Sequence, residues 1–351
     1  MNEFQTLFCT CHEDIIFIKN HILFSEIGWF NISPYILGLA LTLLIQLSSS
    51  FQWGVRQSAE VVNQMVSVER VSGFSCLPSE ADLETDFDND HPNWPEYGDI
   101  DVSNLKVRYR ASLPPSLSEI SLKIKSGQRV GIVGRTGCGK STLIQALFRI
   151  LEAEEGIITV DGVDISSLGL HKVRTEMSVI PQYPVLFSGC SVRENLDPFE
   201  KYDDETIKNA LKNVQMMEAV QELPDGLDTR VAEGGSNFSV GQRQLICLAR
   251  AILRRSKILV LDEPTANVDG KTDLLLQKAV AESFSESTII AVAHRLDTII
   301  DYDLIVVLGS GHVLEIGSPN ELLQARGHFA SMVDETGEDT AKRLRDRVFK
   351  N

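Results

Sequence analysis

The sequence predicts an α/β domain with a mostly parallel core sheet, and three observations carry that expectation. Short apolar, β-branched runs alternate with helical stretches over residues 100–330, the alternation that builds parallel sheets. One run, Val130 to Val133, enters a glycine-rich loop from which a helix starts at about Thr142. Another, Ile258 to Leu261, ends in adjacent carboxylates, Asp262 and Glu263.

The loop is the anchor of the reading. Gly134, Gly139, Lys140 and Ser141 match G-x-x-x-x-G-K-[ST], with Arg135, Thr136, Gly137 and Cys138 between them and Thr142 after them. Glycines let the backbone turn sharply and aim successive N–H groups at a phosphate. The helix start adds partial positive charge behind them. In such a loop the lysine reaches the β- and γ-phosphates of a nucleoside triphosphate and the serine hydroxyl can bind Mg²⁺. A glycine-rich turn between any strand and helix is the plain alternative; the strand-loop-helix context and the later motifs favour phosphate.

The formal net charge of −16 argues against nucleic acid as a partner, because phosphate backbones want clustered Lys and Arg. The cysteines, Cys9, Cys11, Cys76, Cys138, Cys190 and Cys247, form no disulfide framework, so a reducing compartment is expected. Cys9-x-Cys11-His12 lacks a second ligand pair at finger spacing and reads as no metal site.

In chain order, residues 1–26 are left unassigned; they lack the basic start and long apolar core of a signal peptide. No charge occurs between Glu26 and Arg56, and the centre of that stretch, Tyr35 to Leu47, is apolar. A helix needs roughly 20 such residues to cross a bilayer, so a transmembrane helix is expected over 27–55. Trp29, Phe30, Tyr35 and Trp53 would sit near its ends. Gln46, Ser48, Ser49, Ser50 and Gln52 are polar for a lone lipid-facing helix and fit one packed against others. A helical extension follows to residue 76. The stretch 77–97 is acidic and proline-stiffened and reads as a solvated tether.

From 98 the domain pattern begins. Residues 100–109 read as an edge strand with one bulge, and Ile120, Leu122 and Ile124 as a second strand. Further strands are expected at 156–162, 177–182, 257–262, 288–294 and 303–308. A hairpin through Gly309–Gly311 leads to Val313–Ile316. Residues 193–222 read as amphipathic helix, and 334–351 as a helical tail beyond a domain ending at 333.

Two further motifs carry chemistry. Asp262 can hold Mg²⁺, and Glu263 can polarise a water that attacks the γ-phosphate. Alone they would read as a solvated strand end; paired with the loop they do not. The run Phe238-Ser239-Val-Gly241-Gln242-Arg-Gln244 opens a helix and makes a second anion site, which a single phosphate-loop domain does not need.

Here the sequence resembles the ATP-binding cassette (ABC) transporters. The loop at 134–142, Gln182, the SVGQRQ run, Leu261 to Asp269 and His294 follow the order and rough spacing of that family's nucleotide-binding domain, over about 100–329. Val107 to Arg110, Gly131 to Gly137, Pro181 to Gly189 and Glu194 to Phe199 are similar to the C subfamily, the multidrug-resistance-associated proteins, and most to its second cassette. The resemblance implies a phosphate-loop NTPase with a mostly parallel core sheet, an antiparallel β subdomain and a helical subdomain, with ATP and Mg²⁺ bound. It implies that Tyr109 stacks on adenine, that Gln182 touches Mg²⁺ and the attacking water, and that His294 holds the γ-phosphate. Ser239, Gly241 and Gln242 would cap ATP held by a second cassette arranged head-to-tail, and Asp269 would join the two sites. Membrane domains would come from chain upstream or from other subunits, with the cassette in the cytoplasm. A soluble cassette ATPase or a regulatory or channel-type member are the alternatives. Phe238 stands where the family usually has Leu, and Pro264 where C-subfamily members often have Ala. The Cys138 thiol, beside the loop lysine, is expected to be reactive.

Overall fold

The computed structural model describes residues 34–264, 268–293 and 295–350. It divides into two units, Met1–Glu80 and Ala81–Asn351.

Among the described residues of the first unit, one helix, α1, runs Pro34–Ser75 over 42 residues. The stretch 27–55, where a transmembrane helix is expected, begins before the described residues. Among the described residues, no helix is long and apolar enough to cross a membrane. Thr42 and Ser49 donate their hydroxyls to the carbonyls of Gly38 and Ile45 one turn back, so helix geometry satisfies them. Residues 1–33, including Cys9, Cys11, His12, Trp29 and Phe30, lie outside the described residues.

In the second unit the acidic stretch is docked through its backbone and Trp94, while most of its carboxylates stay exposed. It contains a one-turn helix, α2 (Phe87–Asp90). Trp94 is 5 % exposed, and its indole donates to the Val160 carbonyl at 2.9 Å. The Asp161 carboxylate accepts four successive backbone N–H groups, from Glu96, Tyr97, Gly98 and Asp99. Asp88 accepts from Thr85 and Gly169, and these bonds hold its carboxyl below the usual range against the opposing effect of its own desolvation.

The first sheet is antiparallel, in the order β2-β1-β4-β5, from β1 (Ile100–Val107), β2 (Leu117–Ile124), β4 (Glu155–Val160) and β5 (Val163–Asp164). β1 is therefore not an edge strand: β2 pairs on one side and β4 on the other. Its register with β2 shifts twice, around Asn104, whose φ is +50°. The second sheet has the order β10-β9-β3-β8-β7-β6. β3 (Arg129–Gly134), β6 (Met177–Ile180), β7 (Ile258–Asp262), β8 (Thr288–Val292) and β9 (Leu304–Gly309) run parallel, and β10 (His312–Gly317) closes an antiparallel hairpin.

Successive side chains of the parallel strands are buried on opposite faces. Val130, Ile132, Val260, Ile290 and Val306 join the core shared with the antiparallel sheet and with α3 (Lys140–Leu147), the helix after the phosphate loop. Leu259, Leu261, Ile289, Ala291 and Val307 face a helical core. Burial on both faces is why these strands read as continuous apolar runs. After α4 (Leu170–Glu176), the stretch expected as one helix is three: α5 (Val192–Leu196), α6 (Asp204–Asn213) and α7 (Met217–Gln221). Pro198 breaks the first, Asp203 caps the second, and Gln215, at φ +55°, separates the third. The helical core then takes α8 (Val240–Arg254), buried nearly all round, and α9 (Gly270–Ser283).

The chain ends in α10 (Pro319–Ala325), α11 (His328–Asp334) and α12 (Glu338–Lys350). The tail expected beyond 333 is packed into the domain: Ala341 and Leu344 are 5 % and 1 % exposed in the helical core. Arg343 and Arg347 pair with Asp297 and Asp301.

Candidate functional site

β3 delivers the chain into the loop at Gly134, where a Cβ would lie 2.3 Å from the Leu308 carbonyl and 2.5 Å from the Cys138 sulfur. Gly139 turns at φ +107°, and a Cβ there would meet Leu117 at 2.5 Å. Side chains at either position would close the cradle. Lys140 is 6 % exposed and donates Nζ to the Gly134 carbonyl at 2.9 Å. Its amine thus curls over the loop. Arg135, Thr136, Gly137 and Ser141 are exposed, and Thr142 is buried. Arg135 reaches Glu335 at 3.3 Å. Cys138 is 4 % exposed, which corrects the expectation of a reactive thiol: it is packed under the loop.

Parallel pairing brings three more strand ends to the same edge of the sheet. Ile180 pairs with Leu261, and Asp262 with Val292. Gln182 therefore follows β6 beside the end of β7, and its Nε2 donates to Glu263 Oε2 at 3.2 Å. Glu263 sits at φ +48°, a left-handed conformation that aims the residue off the strand, and its N–H donates to the Val292 carbonyl. Burial, and then the adjoining Glu263 charge, push the Asp262 carboxyl above its usual range, while Lys140 draws it down. Ala293 donates its N–H to the Ile132 carbonyl, which holds the chain after β8 against β3. His294 itself lies outside the described residues.

Tyr109 follows β1. Its hydroxyl lies 3.2 Å from Thr142 Oγ1 and donates to Gln145 at 3.0 Å, so the ring stands over the start of α3, about half exposed.

The SVGQ group forms a separate cluster. Ser239 caps α8 in a capping box with Gln242. A Cβ on Gly241 would meet Thr272 at 3.0 Å, and Thr272 donates its hydroxyl and N–H to Asp269, the cap of α9. Those bonds hold the Asp269 carboxyl below its usual range. Among the described residues, no hydrogen bond joins Ser239, Gly241 or Asp269 to the loop at 134–142.

Sequence reading missed the residues that brace the segment after Gln182. Gln244, fully buried, donates to the Pro181 carbonyl at 2.9 Å. Arg250 donates to the carbonyls of Val185 and Asn195 and to the Asn195 side chain, and lies 5.6 Å from the Phe187 ring. A polar residue on an otherwise apolar helix is the one signal that would have found them. In the same segment Tyr183, Val185 and Phe187 are exposed apolar residues.

The residues present fit Mg²⁺ with a triphosphate. The like charges of Asp262 and Glu263 at a half-buried strand end are the repulsion a cation relieves. Ser141, Asp262 and the Gln182 amide are oxygen donors of the kind Mg²⁺ takes beside phosphates and waters. Among the described residues, no cluster of three or more His, Cys, Asp or Glu forms a protein-only metal cage. Mg²⁺ so held would neutralise charge building on the phosphates.

Comparison with known proteins agrees with this geometry. The ABC transporter family model matches residues 117–266. ATP-binding cassette sub-family C member 4 of Homo sapiens is 50 % identical over 308 residues, covering 88 % of this chain and 23 % of that protein. Sub-family C member 2 of Rattus norvegicus is 48 % identical over 302 residues, covering 86 % of this chain and 20 % of its own length. A probable multidrug resistance-associated protein of Drosophila melanogaster, lethal(2)03659, is 48 % identical over 305 residues. The chain thus spans about a fifth of the length of the curated relatives it matches. Among solved structures, a bacterial Atm1-family ABC exporter with ATP bound matches with a TM-score of 0.69 at 30 % identity, covering 79 % of this chain and 47 % of that one.

Proposed function

This chain carries a C-subfamily cassette of the ABC transporter family, and from that premise we propose that it binds and hydrolyses MgATP to drive a membrane transporter. The hydrogen bond between Gln182 and Glu263, at the strand edge where the Lys140 loop also ends, is the observation that carries the reading. In it, Tyr109 stacks on the adenine, and the loop N–H groups and Lys140 grip the phosphates. Lys140 exchanges its bond to the Gly134 carbonyl for phosphate oxygen. Gln182 orients a water and Glu263 takes its proton as the water attacks the γ-phosphorus. His294 steadies the γ-phosphate.

Ser239, Gly241, Gln242 and Asp269 act on ATP held by a second cassette, head-to-tail. Their clustering around Thr272, without a hydrogen bond to this chain's own loop, supports that role. The exposed Tyr183, Val185 and Phe187, continuous with Gln182, meet the transmembrane domains and carry the nucleotide state to them. Those domains come from chain upstream or from other subunits, and the cassette works on the cytoplasmic side.

The test is ATP-dependent association. In a Glu263→Gln chain, MgATP is retained in the interface, and light scattering should show the 38.9 kDa chain doubling in mass. A mass unchanged by MgATP would count against the head-to-tail arrangement; wild-type phosphate release that survives Glu263→Gln would remove Glu263 as the base.

A further inference from the structure

We infer that a cavity running along β8, between α9 and the segment 295–302, binds a small amphiphilic monocarboxylate. The cavity encloses about 210 Å³. An apolar cavity of about 150 Å³ takes a benzene ring, so a phenyl group or a short alkyl chain fits. Leu261, Leu276, Val280, Ile289 and Ala291 make its walls. It follows β8 from Ile289 to Ala293, roughly 13 Å at the rise of an extended strand. The space is therefore long and narrow.

Its ends differ in charge. At one end lie Arg129 and Tyr302. Among the described residues, neither the Arg129 guanidinium nor the Tyr302 hydroxyl has a hydrogen-bond or ion-pair partner. Burial pushes the Tyr302 phenol up, and the nearby Arg129 charge draws it down. The other arginines of the lining are already neutralised, Arg295 by Asp273 at 3.3 Å and Arg347 by Asp301. At the far end stand Glu263 and Pro264. A carboxylate at Arg129 and Tyr302 gives two donors an acceptor, and an apolar body pointing toward Pro264 keeps charge away from Glu263. A dianion would add repulsion from Asp301 and Glu263 without a second unpaired cation to meet it. Because the wall includes the strand that carries Glu263, occupancy changes ATP turnover; binding itself needs no nucleotide and stands apart from the ATPase reading.

The probe is 4-phenylbutyrate, titrated by calorimetry into the full chain without nucleotide. Saturable one-to-one binding is expected. The neutral 4-phenylbutanol and an Arg129→Met chain should each bind at least roughly tenfold more weakly, the weight of one charge-assisted hydrogen bond. Ala281→Trp, at an exposed position of the lining, should block binding while leaving the melting temperature of the empty chain unchanged. The proposal is overturned by no saturable binding up to ~10 mM, a range where even about 3–4 kcal/mol of affinity would register. Equal affinity for the acid and the alcohol, or binding that both variants leave intact, would overturn it as well.

Discussion

Gln182 Nε2 lies 3.2 Å from Glu263 Oε2, tying the ends of two neighbouring parallel strands together. One side chain follows β6 and the other β7, so a movement at either strand end is felt at the other.

That bond sets the first prediction. In the proposed mechanism Glu263→Gln removes the proton acceptor and leaves the size of the side chain. ATP hydrolysis should fall by roughly 10²–10⁴, the weight of a positioned base. Nucleotide affinity should change little, because the Lys140 loop does the gripping. Phosphate release and nucleotide titration measure the two separately.

Asp262 gives a prediction with a sign in pH. Its carboxyl is pushed above the usual range by burial and by Glu263. The folded chain therefore holds this proton to higher pH than the unfolded chain. Stability falls as pH rises from the unfolded value, about 3.9, through the raised folded value, and the whole penalty stands at neutral pH. Asp262→Asn should melt higher than the parent at pH 7 without Mg²⁺ and nucleotide, and the gain should vanish below about pH 4. The same variant should lose roughly 10²-fold or more in MgATP hydrolysis. A lower melting point at pH 7 would contradict the burial account.

The chemistry was legible because it is local. A phosphate loop needs its glycines and lysine at fixed spacing, and Gly134, Gly139 and Lys140 announce it. The paired carboxylates follow an apolar run that can only be a buried strand. What the sequence hides is pairing at long range. Nothing in residues 77–97 says that their backbone will find an acceptor at Asp161, so charge alone does not show where the stretch docks. The same holds for β1, whose bulge marked it as an edge although β4 covers its other side.

The docked acidic stretch can be tested at Asp161. This residue has φ +52°, which Asn tolerates well. Asp161→Asn therefore spares the turn but sets an NH₂ group against N–H donors, so part of the four-bond cluster is lost. A destabilisation of about 1–3 kcal/mol is expected for the unsatisfied donors. Limited proteolysis should cut residues 81–99 faster than in the parent. An unchanged cutting rate would show that Trp94 and the contacts around Asp88 hold the stretch without Asp161.

Cys138 separates the structural reading from the motif reading. By position it neighbours Lys140 and the start of α3, a setting in which reactive thiols are found. In the fold its sulfur lies against Gly134, where even a Cβ would come within 2.5 Å, and the residue is 4 % exposed. A reagent must reach the sulfur before its ionisation matters. Cys76 is exposed, Cys190 half-buried and Cys247 buried, with burial pushing the Cys247 thiol up. Among the four described cysteines, N-ethylmaleimide should therefore modify Cys76 first and Cys190 next, and spare Cys138 and Cys247 until the chain unfolds. Peptide mapping by mass spectrometry reads each site. Early labelling of Cys138, lost when MgATP is added, would mean that the loop opens in solution and that the packing of Gly134 against Cys138 is not its resting state.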